Sequence, residues 1–123
     1  SLIKKFSDAK DNNSNIIVWG DGSAQRDFLY VKDVASLALI IMNKISGTIN
    51  IGSGKIYRIK DIVDCLAEIT GMQNRIEWDS SRPNGQDYRA YDLKRIKELE
   101  FNPEYSIEQG LKETWSWYRK SIG

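Results

Sequence analysis

The chain has 123 residues, of which 41% are apolar and 28% charged. That suits one domain, is too short for two ordinary ones, and is too apolar for wholesale disorder. Eighteen basic and seventeen acidic residues leave a net charge of +1, without the imbalance that marks a nucleic-acid binder. The charge is mildly uneven: residues 1–60 carry nine basic and five acidic groups, residues 61–123 nine and twelve. Histidine is absent, which removes the commonest general base, most zinc sites and every Ser-His or Cys-His pair; no metal site is expected. The single cysteine, Cys65, forms no internal disulfide. With no apolar run of membrane-spanning length and no visible secretory signal, the expectation is a cytoplasmic protein with no membrane partner.

Leu2, Ile3 and Phe6 fall on one helical face, which predicts a helix to about Asp8 and a polar loop from Asp8 to Asn15. Ile16–Trp19 reads as a short strand, Gly20-Asp21-Gly22-Ser23 as a tight turn, and Arg26 to Val31 as a second strand. Asp33 is placed to cap a helix running to about Lys44. That helix is apolar nearly all round, which predicts burial on several sides. A domain this small has difficulty covering it, so part of its covering is expected from another domain or chain.

Thr48 to Gly52 reads as a strand ending in Gly52-Ser53-Gly54. Lys60 to Thr70 reads as a helix with Ile62, Val63, Leu66 and Ile69 inward, closed by Gly71. Arg75 to Trp78 reads as another strand, and strand, helix, strand at this spacing suggests a βαβ unit. A loop with Pro83 and Gly85 follows. Asp92 caps a short helix with Leu93, Ile96 and Leu99 inward. Ser106 opens the last helix, with Gln109 completing a capping box and Ile107, Leu111, Trp115 and Tyr118 forming the buried stripe.

Few residues carry chemistry by themselves. The glycine pairs Gly20/Gly22 and Gly52/Gly54 follow strands but complete no dinucleotide fingerprint: the third glycine would fall at Gln25 or Tyr57. No Tyr is followed four residues later by Lys, so no Tyr-Lys proton-transfer pair exists at helical spacing. Cys65, within a turn of Ile62 and Ile69, reads as a small buried residue rather than a reactive thiol. Trp19 ends a strand just before a glycine turn; its ring either covers a sugar or base or packs at a rim. Arg26 and Arg82 lie beside strand-end turns. Each is either a solvated surface residue or one arm of a phosphate clamp, since guanidinium offers a planar fork of donors.

Trp19 through Ala35, Ile49 through Gly54, Trp78 through Gln86 with Tyr91-Asp92, Pro103 with Ser106 through Leu111, and Thr114 through Tyr118 together resemble the nucleotide-sugar epimerase/dehydratase family, the extended short-chain dehydrogenase/reductases. The match runs in order along nearly the whole chain and looks most like the epimerase-reductase branch that works on GDP-linked sugars. The family pairs a Rossmann half, which binds NAD or NADP and carries the catalytic Tyr and Lys, with a smaller C-terminal half that binds the nucleotide sugar. The resemblance therefore implies an α/β fold, residues 1–123 forming a single substrate-binding domain of short strands and four to five helices with the Rossmann half absent. By resemblance Trp19 contacts the nucleotide sugar, Arg26 and Arg82 its pyrophosphate, and Asp79 takes a hydroxyl. One departure stands out: where the GDP-sugar branch usually reads Lys-Pro-Asp-Gly, this chain has Arg82-Pro83-Asn84-Gly85, which keeps the positive charge and removes a negative one.

The implied parent is an NAD(P)-dependent epimerase, reductase or dehydratase whose partners are a nucleoside-diphosphate sugar and the Rossmann half, with a homodimer open to it. The 123 residues alone are expected to bind no cofactor, to carry no catalytic residue and to be inactive. The alternatives are a UDP- or dTDP-sugar 4-epimerase or 4,6-dehydratase of the same family and, from a different class, a stand-alone interaction module that uses the apolar helix.

Overall fold

The structure, a computed structural model, describes residues 1–123. In chain order the elements are α1 (Leu2–Asp11), β1 (Ile16–Trp19), β2 (Gln25–Asp27), α2 (Val31–Lys44), β3 (Ile56–Arg58), α3 (Ile59–Thr70), a 3-10 turn (Gln73–Arg75), β4 (Ile76–Asp79), β5 (Tyr88–Arg89), α4 (Lys94–Lys97) and α5 (Ile107–Ile122). The α/β class is as expected, with five helices and short strands.

The main core gathers Phe6 and Ala9 of α1, Ile16 and Val18 of β1, and Ile62, Val63, Leu66 and Ala67 of α3, with Ile107, Leu111 and Trp115 of α5 half-buried against it. Side chains alternate across β1, so Ile16 and Val18 face this core while Ile17 and Trp19 face solvent. β1 pairs with β4 in parallel, Ile16 opposite Ile76 and Trp19 opposite Asp79. A second sheet has β2 at its centre, antiparallel to β3 and parallel to β5, with Arg26 opposite Tyr57 and Arg89. A smaller core joins Leu37 of α2 to Leu93 and Ile96 at α4.

The terminal signals of α3 and α5 are as read. Ser106 Oγ accepts the Gln109 backbone N–H while the Gln109 side chain accepts the Ser106 N–H, a reciprocal cap. Gly71 closes α3 at φ +70°, a conformation that favours glycine. Asp92, expected as the cap of α4, instead stands one residue before the N-cap Leu93, and its Oδ1 accepts the Lys94 N–H.

Several expectations give way. α1 continues through Asp11, beyond the expected end at Asp8, because Ala9 is buried in the core while Lys4 and Asp8 pair on the outer side. The strand expected from Arg26 to Val31 stops at Asp27, and α2 begins at Val31 with Tyr30 at its N-cap. Asp33 is therefore inside the first turn of α2, not its cap, and is used elsewhere. α2, by contrast, is under-covered as expected: only Asp33 and Leu37 are fully covered, and Val31, Ala35, Leu39 and Met42 form an open apolar stripe. Thr48–Gly52 is no strand, because no neighbouring strand in the chain pairs with it. Instead Arg95 donates to the carbonyls of Ser46 and Thr48. The βαβ unit survives in altered form: β4 pairs in parallel with β1, not with the 48–52 segment. β5 pairs with β2 in a stretch after Gly85 where the sequence predicts no strand. Cys65 is half-buried rather than fully buried, and burial pushes its thiol pKa up.

Candidate functional site

The ends of β1 and β4 and the adjoining end of β2 build one surface. Trp19 is 58% exposed, held outward by the alternation of β1. Beyond it the Gly20 N–H donates to the Asp79 carbonyl (2.9 Å), as does the Arg82 N–H (3.2 Å). These bonds start the 80–87 loop directly beside the β1–β2 turn. Asp79 turns its carboxylate onto its own loop: Oδ1 accepts from the N–H and hydroxyl of Ser81, and Oδ2 lies 3.7 Å from Arg82 Nε. A substrate hydroxyl reaching Asp79 would compete with Ser81 and Arg82.

Arg82 sets its guanidinium 5.3 Å from the Trp19 ring centroid, within cation–π range. Lys5 of α1 places its ammonium 5.4 Å from the same ring. Arg26, half-buried in β2, donates from Nη1 to the Gln25 carbonyl at 2.7 Å. Its Nη2 lies 3.9 Å from where a Cβ on Gly85 would sit. The structure thus brings Trp19, Asp79 and Arg82 into contact and sets the Arg26 head against the same 80–87 loop. Neither arginine lies in the packed core.

Two features of this surface escaped the sequence reading. The first is Asn84. Its Oδ1 accepts the Asp21 N–H at 2.9 Å, and its Nδ2 donates to Asp21 Oδ1 at 2.7 Å and to Ser23 Oγ at 3.3 Å. Asp21 Oδ1 also accepts from the Ser23 hydroxyl and N–H. Led by the Ser23 bonds, these donors hold the Asp21 carboxyl at about 2, below its usual 3.8. The departure from the related loop pattern at position 84 was the available signal. The second is Asp27 at the end of β2, whose Oδ1 accepts from the Ser53 N–H and hydroxyl and whose Oδ2 accepts from the Gly54 N–H. A Cβ on Gly52 would lie 2.7 Å from Asp27 Oδ2, so that glycine is required by close approach. Nothing near in sequence joins Asp27 to Ser53.

These bonds bear on dinucleotide binding. Phosphate cradles present free backbone N–H groups. Here the Ser53 and Gly54 N–H groups are taken by Asp27, and the Asp21 and Ser23 N–H groups by Asn84 and Asp21. These four N–H groups are therefore bonded within the chain. The structure contains no cluster of His, Cys, Asp and Glu able to hold a metal ion and no helix long and apolar enough to cross a membrane.

Comparison with known proteins agrees with the fold and the motifs. Residues 1–52 match the NAD dependent epimerase/dehydratase family. A probable GDP-L-fucose synthase 1 of Oryza sativa subsp. japonica is 36% identical over 99% of this chain and 38% of its own length. A UDP-glucose 4-epimerase of Thermotoga maritima, solved with UDP-glucose, superposes with a TM-score of 0.83 at 29% identity over 100% of this chain and 40% of that one. A GDP-L-fucose synthetase of Naegleria fowleri bound to NADP shares the fold at a TM-score of 0.89 and 23% identity, over 98% of this chain and 39% of that one. The chain is thus similar to GDP-L-fucose synthases and to nucleotide-sugar epimerases. It spans about two fifths of the length of the relatives it matches.

Proposed function

We propose that the chain supplies the nucleotide-sugar-binding surface of an NAD(P)-dependent epimerase/reductase acting on a GDP-linked sugar. The observation that carries this reading is the Arg82 guanidinium over the Trp19 ring, on a loop whose Gly85 lies beside the Arg26 head. A nucleoside-diphosphate sugar carries two negative charges on its bridge, and two guanidinium forks can neutralise them with directed hydrogen bonds. Trp19 offers an apolar face at the rim for the sugar or base. Asp79 serves as an internal partner that keeps Arg82 aimed until substrate takes the guanidinium, and then presents its carboxylate to a hydroxyl. The part played by this chain is binding and orientation.

The cofactor of such a reaction accepts or gives a hydride at the sugar. Since these N–H groups of the two glycine loops are already bonded within the chain, we place the dinucleotide, and the Tyr-Lys pair that moves the proton, on a part of the enzyme outside these 123 residues. By this reading the isolated chain turns over no sugar. The open α2 stripe and the unpaired Thr48–Gly52 segment are the faces against which that other part packs.

Calorimetric titration of GDP-sugars and UDP-sugars into the full-length protein tests the reading. Saturable binding with GDP-sugars preferred is expected; binding of neither class overturns it. A UDP-sugar 4-epimerase is the second reading, favoured by the structural match to the Thermotoga enzyme, and a preference for UDP-sugars in the same titration selects it.

A further inference from the structure

We infer that Asn84 is the positioning residue that locks the Arg82-bearing loop onto the β1–β2 turn, and that this lock requires a neutral amide because it faces the carboxylate of Asp21. The inference rests on the reading that Arg26 and Arg82 bind a pyrophosphate. Between Pro83 and Gln86 no backbone group of the loop bonds to another element. The loop's hydrogen bonds to the turn all come from the Asn84 side chain, to Asp21 and Ser23. One side of the amide meets an N–H donor and the other a carboxylate acceptor, so the orientation of oxygen and nitrogen is fixed by chemistry. The fit is close: the amide oxygen occupies the space of a Gly20 Cβ, 1.9 Å from where that atom would stand. The clamp sits two residues from Arg82 and one from Gly85, against which Arg26 rests. Freeing it leaves the Arg82 end of the loop held by Asp79 alone and loosens the surface that backs Arg26.

An aspartate at 84 would keep the acceptor for the Asp21 N–H but set a carboxylate oxygen where an N–H now donates to Asp21 Oδ1 at 2.7 Å. Two carboxylates at that distance do not both ionise readily. The other charged and polar groups nearby are Ser23 in the turn, Lys60 of α3, whose Cβ lies beside Gly22, Asp79 at the end of β4 and Arg82 of the loop. Position 84 and position 21 thus form a matched amide–carboxylate pair.

The test uses Asn84→Asp, Asn84→Ala and the exchanged pair Asn84→Asp with Asp21→Asn in the full-length protein, with GDP as the probe. Asn84→Asp is expected to weaken GDP binding about tenfold at neutral pH, the worth of a lost charge-assisted hydrogen bond. Binding should recover as the pH falls and the shared site takes up a proton. Asn84→Ala should weaken binding at every pH. The exchanged pair, which again sets one amide against one carboxylate, should return to within about threefold of the native protein. Unchanged binding in Asn84→Asp, or no recovery in the exchanged pair, overturns the inference. If the native protein does not bind GDP, the pyrophosphate reading fails separately. The lock is then judged by hydrogen exchange at the Asp21 amide: faster exchange in Asn84→Asp, reversed in the exchanged pair, upholds it, and equal exchange in all forms ends it.

Discussion

The guanidinium of Arg82 rests 5.3 Å from the centre of the Trp19 ring, while its Nε lies 3.7 Å from a carboxylate oxygen of Asp79, so the ring and the acid share one cation. Trp19 and Asp79 are opposite each other in the parallel pairing of β1 and β4. The arginine therefore stands over a register position that the sheet fixes.

This contact sets the first expectation. Arg82→Ala and Arg26→Ala should each weaken nucleotide-sugar binding by about 1.5–3 kcal/mol, the worth of a hydrogen bond to a charged group. Trp19→Ala should cost about 0.5–1 kcal/mol, the value of an exposed cation–π contact. The Trp19 and Arg82 effects should sum to more than the double variant loses, since the two side chains touch. None of the three should lower the melting temperature appreciably. Isothermal titration with each variant checks the energies, and equal affinity in both arginine variants removes the clamp.

The Asp21 carboxyl provides a pH signature. Its folded pKa, about 2, lies below the usual 3.8, so its hydrogen bonds add stability above pH 3.8. That contribution is lost as the pH falls through about 2. Carbon-detected NMR of the side-chain carboxyl should give a midpoint near this value. Ser23→Ala should return the midpoint toward the usual range, and more so than Asn84→Ala, because Ser23 supplies the larger share of the depression. A normal midpoint in the native chain would contradict the turn geometry.

What the sequence made legible follows the range of the interaction. The Ser106–Gln109 cap spans three residues and Gly71 ends its helix locally, so residue type at fixed spacing announced both. The strand-end position of Trp19 before a glycine turn was legible, whereas its outward aim rests on which face of β1 meets the core. The Asn84–Asp21 pair joins residues 63 apart, and no local propensity points across such a gap. The Thr48–Gly52 misreading has the same origin. β-branched residues there fit an extended backbone, but a strand also needs a partner, and none in this chain pairs with it. Asp33 is the clearest example: its type and place suggested a cap, and only the folded chain shows the distant N–H groups it serves.

The α2 stripe predicts behaviour in solution. Val31, Leu39 and Met42 are 68%, 68% and 77% exposed, at the spacing of one helical face with Ala35 between them. The 123-residue chain alone should self-associate through this face. Leu39→Lys with Met42→Lys should shift light scattering toward monomer and reduce binding of a hydrophobic dye. The fold should change by less than about 0.5 kcal/mol, because neither side chain contributes to the core. A native chain that stays monomeric at high concentration and binds no dye removes this expectation.

Asp33 carries the sharpest stability prediction. It is 1% exposed, and its two carboxylate oxygens accept the backbone N–H groups of Glu104 (2.8 Å) and Tyr105 (3.2 Å). Those residues lead into α5, and Tyr105 continues the tie by meeting Tyr30, with ring centroids 4.7 Å apart. Gly110 of α5 then lets the helix approach Tyr30: an added Cβ would stand 3.1 Å from Tyr30 Cβ. One carboxylate thus docks the start of α5 onto the start of α2. Asp33→Ala takes the acceptors from two part-buried N–H donors, and each lost bond to a charged acceptor costs about 1–3 kcal/mol. Asp33→Asn keeps one acceptor oxygen and should lose roughly half as much, because its NH2 group faces a donor. Denaturant unfolding of the two variants should therefore rank native, Asn, Ala in falling stability. Since the residue lies outside the arginine surface, affinity for a nucleotide sugar should persist wherever the variant remains folded. Equal midpoints for all three forms would show that the 103–105 segment docks without this carboxylate.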